Sequence, residues 1–222
     1  MSLTTTQSYM ESTLTLQTAL TASKKTVDIQ IAPDDLNTLK GSDYKLCFAK
    51  KVGDNDYNVV WQSFTAYLSN NSFLWTPQYQ LFGSNIFQSN IEVKVSTNTI
   101  KIGLGEQSIL SKAGLLQPPS TGGEPTGFTL KNEFGNIHPG VNQMSFNTIT
   151  GKEVSTPIYV AQNPVVIGDT LLTPVEKVLV WFEQNIETST MFSNSRSKSV
   201  EIDLTQDNSA TRLYKNGSWI TP

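Results

Sequence analysis

The chain has 222 residues, which is enough for one large or two small hydrophobic cores. Only 16% of the residues are charged and the net charge is −3, so no broad basic field exists and nucleic acid is not an expected partner. The sequence is polar mainly through Ser, Thr, Asn and Gln, a composition typical of all-β proteins.

Residues 1–26 are rich in Thr and Ser and are predicted to form an extended N-terminal arm. They contain neither the basic nor the apolar segment of a secretory signal, and no apolar run in the chain is long enough to span a bilayer. The single cysteine, Cys47, excludes an internal disulfide and fits a reducing compartment. We therefore expect a soluble, cytoplasmic protein that has no membrane partner.

Short strands separated by turns are predicted along the rest of the chain. Val27–Ile31 alternates apolar and polar residues, and Tyr44–Phe48 is predicted to form a hairpin with Tyr57–Gln62 across the turn at Gly53–Asp56. Near the C-terminus, Asn216-Gly217 is a strong signal for a second hairpin turn. The other predicted strands are Phe73–Trp75, Tyr79–Phe82, Asn90–Val95 and Thr99–Gly103.

Gly and Pro are concentrated in residues 114–125, which are predicted to be a linker. The apolar pattern before this linker recurs after it at offsets of about 100 residues, the length of one small β-sandwich. The chain is therefore predicted to be all-β, with two antiparallel β-sandwich-like halves at residues 27–113 and 126–222.

An internal duplication would explain the recurring pattern. It would make Phe48 equivalent to Phe146, and Ile91 equivalent to Val200, because each pair matches in apolar phase. The alternative is chance, since any two alternating β segments align after a few gaps.

No catalytic signature stands out in the sequence. His138 is the only histidine, so a Ser-His-Asp or Cys-His arrangement would have to use it, yet it lies in a turn at Gly135–Gly140. Cys47 lies in a predicted strand without a local activating residue. We therefore expect a protein that is not an enzyme.

Calcium is considered at two acidic turns. Asp34 and Asp35, one of which is predicted to cap a short helical turn at Leu36–Leu39, offer carboxylate oxygens. The turn at Asp54–Asp56 offers further oxygen ligands. Neither turn has the spacing of an EF-hand loop, and Asp and Asn are ordinary turn residues, so turn formation is the favoured interpretation.

Aromatic residues are the remaining candidates for a site, and eight of the chain's 21 lie in Val59–Val95. Successive residues of a strand point to opposite faces, so neighbouring rings such as Trp181 and Phe182 cannot enter the same core. Some rings must therefore face a second layer, a neighbouring half or a ligand cavity. The candidate ligand-binding residues are Trp61, Trp75, Tyr79, Phe82, Trp181 and Phe182, with burial between the two halves as the alternative.

Three stretches carry a resemblance to a known group of proteins: Tyr44–Lys51, Val59–Gln62 and Val178–Gln184. They look like cytosolic proteins of basidiomycete fruiting bodies, and the size and mild acidity resemble the pink pigment-binding proteins of oyster mushrooms. This resemblance implies a non-enzymatic chromoprotein that holds a small, planar, indolone-type chromophore. It assigns no individual residue.

The expected function is therefore non-catalytic binding of a small aromatic ligand. A fruiting-body lectin is the first alternative, since loop aromatics with Asn and Asp side chains would bind sugar. A β-rich cytolysin is the second, although residues 1–26 are too polar for a convincing membrane-insertion segment.

Overall fold

The computed structural model describes residues 24–147, 151–196 and 198–222. These residues form fifteen strands and one helix, which confirms the all-β class. The predicted N-terminal arm lies outside the described residues, except that Lys25 and Thr26 begin the first strand.

The strands and the helix follow one another in this order: β1 Lys25–Ile31, α1 Pro33–Gly41, β2 Lys45–Val52, β3 Gln62–Phe64, β4 Asn70–Ser84, β5 Ile100–Ile102, β6 Glu106–Leu110, β7 Ser120–Thr121, β8 Phe128–Asn132, β9 His138–Asn147, β10 Lys152–Val160, β11 Gly168–Leu172, β12 Pro174–Glu183, β13 Val200–Asp203, β14 Ser209–Lys215 and β15 Ser218–Ile220.

The strands form three sheets. The central sheet has the order β10-β9-β4-β1-β14-β15, with β5 also paired to β4. A side sheet has the order β13-β12-β2-β3, and a small sheet has the order β11-β8-β6-β7. The largest hydrophobic cluster contains residues of all three sheets, such as Val27, Phe48 and Phe128, so the sheets share one core.

Strands from both sides of the predicted linker are paired within the same sheets. β1 pairs with β14, β2 with β12, β4 with β9 and β6 with β8. Residues 27–113 and 126–222 therefore do not form separate sheets. Two of these pairs, β1–β14 and β6–β8, are parallel, whereas the other strand pairs are antiparallel.

The strand equivalences that a duplication requires are not found. Phe48 lies in β2 of the side sheet, whereas Phe146 lies in β9 of the central sheet. Ile91 lies outside the named strands, whereas Val200 begins β13. The shared apolar phase has a simpler cause, because every strand that buries one face alternates with the same period of two.

Three strand predictions need correction. The strand that pairs with β2 is β3, Gln62–Phe64, so the predicted strand Tyr57–Gln62 contributes only its last residue, and Val59 makes an isolated bridge with Met191 instead. Phe73–Trp75 and Tyr79–Phe82 belong to one long strand, β4, whose register against β9 shifts between Trp75 and Tyr79. Asn90–Val95 is not a strand, since only Glu92 makes an isolated bridge, with Thr190.

The ends of α1 also differ from the prediction. Ala32 is the N-cap, makes no side-chain capping bond and is followed by Pro33, which is favourable at the first helical position. Asp35 lies in the first turn, and its carboxylate accepts hydrogen bonds from the backbone N–H groups of Asn216 and Gly217 at 2.8 and 3.0 Å. Those two residues form the predicted β14–β15 turn, with φ of +52° and +70°.

Candidate functional site

The six aromatic residues predicted to bind ligand are core residues or pack directly against the core. Trp61, Trp75 and Tyr79 belong to the largest cluster, and Phe82 belongs to a separate one with Val59, Val160 and Met191. Trp181 lies in a third cluster. Phe182 is half-buried and stacks on Trp219, with the ring centroids 5.5 Å apart. The structure therefore brings three of the six residues together and disperses the others.

Trp181 and Phe182 show the alternation that the sequence predicts. Trp181 packs on Phe192, and its cluster also contains Cys47. Phe182 points to the other face of β12, where it contacts Tyr67, Tyr214 and Trp219. Neither ring lines either of the two grooves described below.

Trp75 and Tyr79 meet at a buried ion pair. Glu176 accepts hydrogen bonds from Lys50 Nζ at 2.6 Å, from Trp75 Nε1 at 3.0 Å and from the Tyr79 hydroxyl at 3.0 Å. The Lys50 side chain is fully buried, and its Nζ lies 5.0 Å from the centre of the Trp75 ring. Every donor is directed at one carboxylate, which indicates a structural role for these two aromatic residues.

The pKa shifts in this network have opposing causes. Burial would raise the pKa of Glu176, but the charge of Lys50 and the hydrogen bonds from Lys50, Trp75 and Tyr79 outweigh it and hold the pKa below the ordinary value. Burial also lowers the pKa of Lys50, against the attraction of Glu176. The pKa of Tyr79 is raised by burial and then by the neighbouring carboxylate.

An apolar groove lies between the side sheet and the central sheet, beside this core. We call it the aromatic groove, and it encloses about 240 Å³. Its walls come from β2, β3, β4, β9 and the loop between β3 and β4. The lining residues are Leu46, Phe48, Phe64, Ala66, Tyr67, Leu68, Asn70, Asn71, Ser72, Phe73 and Phe146.

Phenylalanine rings form the base of the aromatic groove. Phe48 and Phe73 are stacked, with centroids 4.4 Å apart and an interplanar angle of 21°. Phe64 meets both rings edge-on at about 6 Å. Trp61 packs edge-on behind Phe73, with a centroid distance of 4.9 Å. Trp61 therefore supports the groove from within the core.

The rim of the aromatic groove is fixed by local hydrogen bonds. The Tyr67 hydroxyl donates to the Tyr44 carbonyl at 2.8 Å. The Asn71 side chain bonds both backbone groups of Leu68 at 2.7 Å, and it also donates to the Ile29 carbonyl. The loop between β3 and β4 is therefore held in place while Leu68 remains 62% exposed.

Phe146 forms the opposite rim and is 39% exposed, so its ring is accessible from the groove. Phe48, Phe64, Phe73 and Phe146 line this groove but were not among the ligand-binding residues predicted from the sequence. The tryptophans that were predicted to bind ligand are buried in the core instead. Alternation could not have indicated this ring, because a phenylalanine beside a serine is expected on the buried face, whereas Ser145 is the buried residue of the pair.

A second groove, which we call the polar groove, encloses about 540 Å³ between the turn after β2 and the end of β10. Its lining includes the Asp54–Asp56 turn, Tyr159, Gln162 and Asn163. The side chains of Asp54, Asp56, Gln162 and Asn163 make no hydrogen bond to the rest of the described chain. Burial raises the pKa of Tyr159, whose ring forms part of the wall.

The residues that could bind a metal or act in catalysis are dispersed or buried in the described part of the chain. No group of three or more His, Cys, Asp or Glu side chains is arranged to hold a metal ion within the described ranges. His138 Nδ1 lies 2.7 Å from the Ala161 carbonyl, so this nitrogen carries the proton and donates it. Cys47 is fully buried, and burial, followed by the charge of Glu183, raises the pKa of its thiol.

Comparisons with known proteins give no further guidance, since no family model, curated protein or solved structure matches the chain. Within the part of the chain that the structure describes, no helix is long and apolar enough to cross a membrane.

Proposed function

We propose that the protein binds a small, planar, apolar molecule in the aromatic groove without catalysing a reaction on it. The observation that carries this proposal is the stacked pair Phe48–Phe73 at the base of an open groove. Above this buried pair, the half-buried Phe64 and the exposed Phe146 present ring surface to the groove. Such surface favours planar ligands, because aromatic pairs gain about 0.5–1.5 kcal/mol beyond the area they bury.

The size of the groove limits the ligand class. An apolar cavity of about 150 Å³ holds benzene, so about 240 Å³ suits a compound of one or two fused rings. An indolone-type pigment, which the fruiting-body resemblance implies, has this size and planarity. The polar side chains of Asn71 and Ser72 at the rim are already hydrogen-bonded within the protein, so shape and stacking would provide most of the selectivity.

The test is titration of the protein with indole and isatin, followed by calorimetry or by NMR of the aromatic region. Phe146→Ala should weaken binding by about 1 kcal/mol or more, roughly fivefold in Kd. Ala66→Trp should fill the groove and abolish binding, since Ala66 is an exposed lining residue.

Phe134→Ala is the matched control, because Phe134 is 43% exposed and does not line the aromatic groove. It should leave the affinity unchanged. Equal losses in Phe146→Ala and Phe134→Ala, or unchanged binding in Ala66→Trp, would show that the compounds bind elsewhere. Circular dichroism and thermal unfolding of each variant separate loss of binding from loss of fold.

Carbohydrate binding in the polar groove is the second candidate. The observation that favours it is the set of carboxylate and amide side chains beside Tyr159 that lack partners within the described chain. Sugars present hydroxyl groups to such side chains and pack their apolar face on an aromatic ring. A glycan array with wild type and Asn163→Ala tests this, and retention of any signal in the variant would place the sugar elsewhere.

A further inference from the structure

Four large apolar side chains are exposed together at one end of the small sheet. Leu115 is 53% exposed, Phe134 43%, Val166 66% and Ile167 69%. We call these four residues the apolar tip. They belong to three different loops: the turn after β6, the turn after β8 and the segment before β11.

The strand directions bring these loops together. β6 and β8 are parallel, so both end at the same edge, and β11 is antiparallel to β8, so it begins there with Gly168 opposite Asn132. The Phe134 ring packs over Gly114, where an added Cβ would lie 3.3 Å from it. Leu115, next to Gly114, is thereby placed beside Phe134.

A buried asparagine ties the loops of the apolar tip to one another. Asn132 is 2% exposed, and its amide nitrogen donates to the carbonyls of Gly135, Val166 and Val165 at 2.6, 2.9 and 3.3 Å. Its carbonyl oxygen accepts from the backbone N–H groups of Phe134 and Gly135 at 3.0 and 3.3 Å. These bonds pair backbone groups of Phe134, Gly135, Val165 and Val166 with one buried side chain.

The turn after β6 is bonded in a similar way. The backbone N–H of Ser111 donates to the Leu115 carbonyl at 3.0 Å, and the Gly114 N–H donates to the Ser111 carbonyl at 2.9 Å. Backbone groups left unpaired in a lipid environment cost several kcal/mol each. The backbone groups that are paired in this way can therefore leave water at a lower cost than unpaired ones.

We propose that the apolar tip inserts into the interfacial region of a lipid bilayer and attaches the protein peripherally. Four exposed apolar side chains are far fewer than the roughly 20–30 residues that each partner contributes to a stable protein interface. The same four side chains suffice for a lipid surface, where binding grows with the apolar area that is inserted. This attachment is independent of the ligand proposed for the aromatic groove and differs from the expectation that no membrane is involved.

Charges around the apolar tip are balanced. Lys112 and Lys131 lie near it, and so do Glu133 and Asp169, which have the opposite sign. A balanced surface gives no electrostatic preference for anionic lipid. Attachment to vesicles of phosphatidylcholine alone should therefore occur, and it should change little between low and high salt.

The test is flotation with phosphatidylcholine vesicles. Wild type should float with the vesicles, and the double variant Val166→Asn, Ile167→Asn should lower the partition coefficient about tenfold or more, because it removes the two most exposed aliphatic groups. Phe146→Ala, which alters the aromatic groove, should float like wild type. Equal loss in the two variants, or no flotation of wild type, would overturn the proposal.

A site-specific label gives a direct readout of insertion. Cys47 is buried, so the wild-type protein should take up no thiol-reactive NBD, and Ile167→Cys should be labelled at one position. NBD at position 167 should brighten and shift to the blue with vesicles, whereas NBD on Leu68→Cys, a control of similar exposure, should not.

Equal responses at both positions would indicate non-specific adsorption and would contradict insertion through the tip. Self-association that depends on Val166 and Ile167 in sedimentation velocity, without flotation, would show instead that the tip binds a second copy of the chain. Either result would overturn the lipid proposal.

Discussion

Lys50 shows how a single buried charge determines the roles of its aromatic neighbours. Its side chain is inaccessible to solvent, and its ammonium group depends on Glu176 for charge compensation. Trp75 and Tyr79 donate to the same carboxylate, so these two rings are oriented by the ion pair. A buried charge without its partner costs far more than an exposed pair gains.

Replacing Glu176 should therefore be strongly destabilising. Glu176→Leu leaves the Lys50 charge uncompensated and removes the acceptor for Trp75 and Tyr79, so we expect a loss of about 3–5 kcal/mol in unfolding free energy. The double variant Lys50→Met, Glu176→Leu should recover most of this loss. Urea unfolding of the three proteins measures both values, and a double variant as unstable as Glu176→Leu would contradict this account.

The same pair predicts an acid dependence. Because the folded-state pKa of Glu176 lies below its ordinary value of 4.5, its contribution is complete above that value and is lost as the pH falls through the folded-state pKa. The difference in unfolding free energy between wild type and Glu176→Gln should thus shrink as the pH is lowered below 4.5. A difference that stays constant would show that the pKa of Glu176 is the same in the folded and the unfolded chain, and would contradict the lowered pKa.

Between adjacent strands, Phe82 has a packing role that explains its burial. It lies in β4 directly opposite Gly140 in β9, and a Cβ at Gly140 would lie 2.2 Å from the Phe82 ring. The glycine thus leaves room for the ring to lie across the neighbouring strand. A ring in this position cannot also stack on a ligand.

Gly140→Ala should lower the unfolding free energy by about 1–3 kcal/mol, because the added methyl group collides with the buried ring. Phe82→Leu should also destabilise, since it leaves space above Gly140. In the double variant the leucine makes room for the methyl group, so the combined loss should be smaller than the sum by at least about 0.5 kcal/mol. Thermal or urea unfolding of the four proteins measures this coupling, and strict additivity would contradict the contact.

Local sequence patterns predicted individual strands and turns but not the aromatic groove. Alternation and turn residues identified β1, β2 and the Asn216-Gly217 hairpin, because these signals depend on near neighbours in the sequence. The aromatic groove could not be predicted in this way, since it needs Phe146 beside Phe48 and Phe73. That proximity follows from the pairing of β4 with β9, which joins residues about 70 positions apart.

At the scale of the whole molecule, three pairings join distant parts of the chain. β1 pairs with β14, β2 with β12 and β4 with β9, and Lys25 Nζ donates to the carbonyls of Leu204 and Asp207. Neither side of residues 114–125 can complete its sheets without the other. Partners distant in sequence make loop closure costly, and they couple the sheets into one folding unit.

We therefore expect a single cooperative unfolding transition and no independent folding of residues 24–113 or 126–222. The isolated fragment 24–113 would leave β1, β2 and β4 each with an open edge, so it should show poor NMR dispersion or aggregate. The full chain with residues 114–125 replaced by a Gly/Ser linker of equal length is the control. It should keep the fold, because that segment contributes only β7 and Leu116 to the sheets and core. A well-dispersed spectrum of either isolated fragment would show instead that the predicted halves fold alone and that the pairings between them form afterwards.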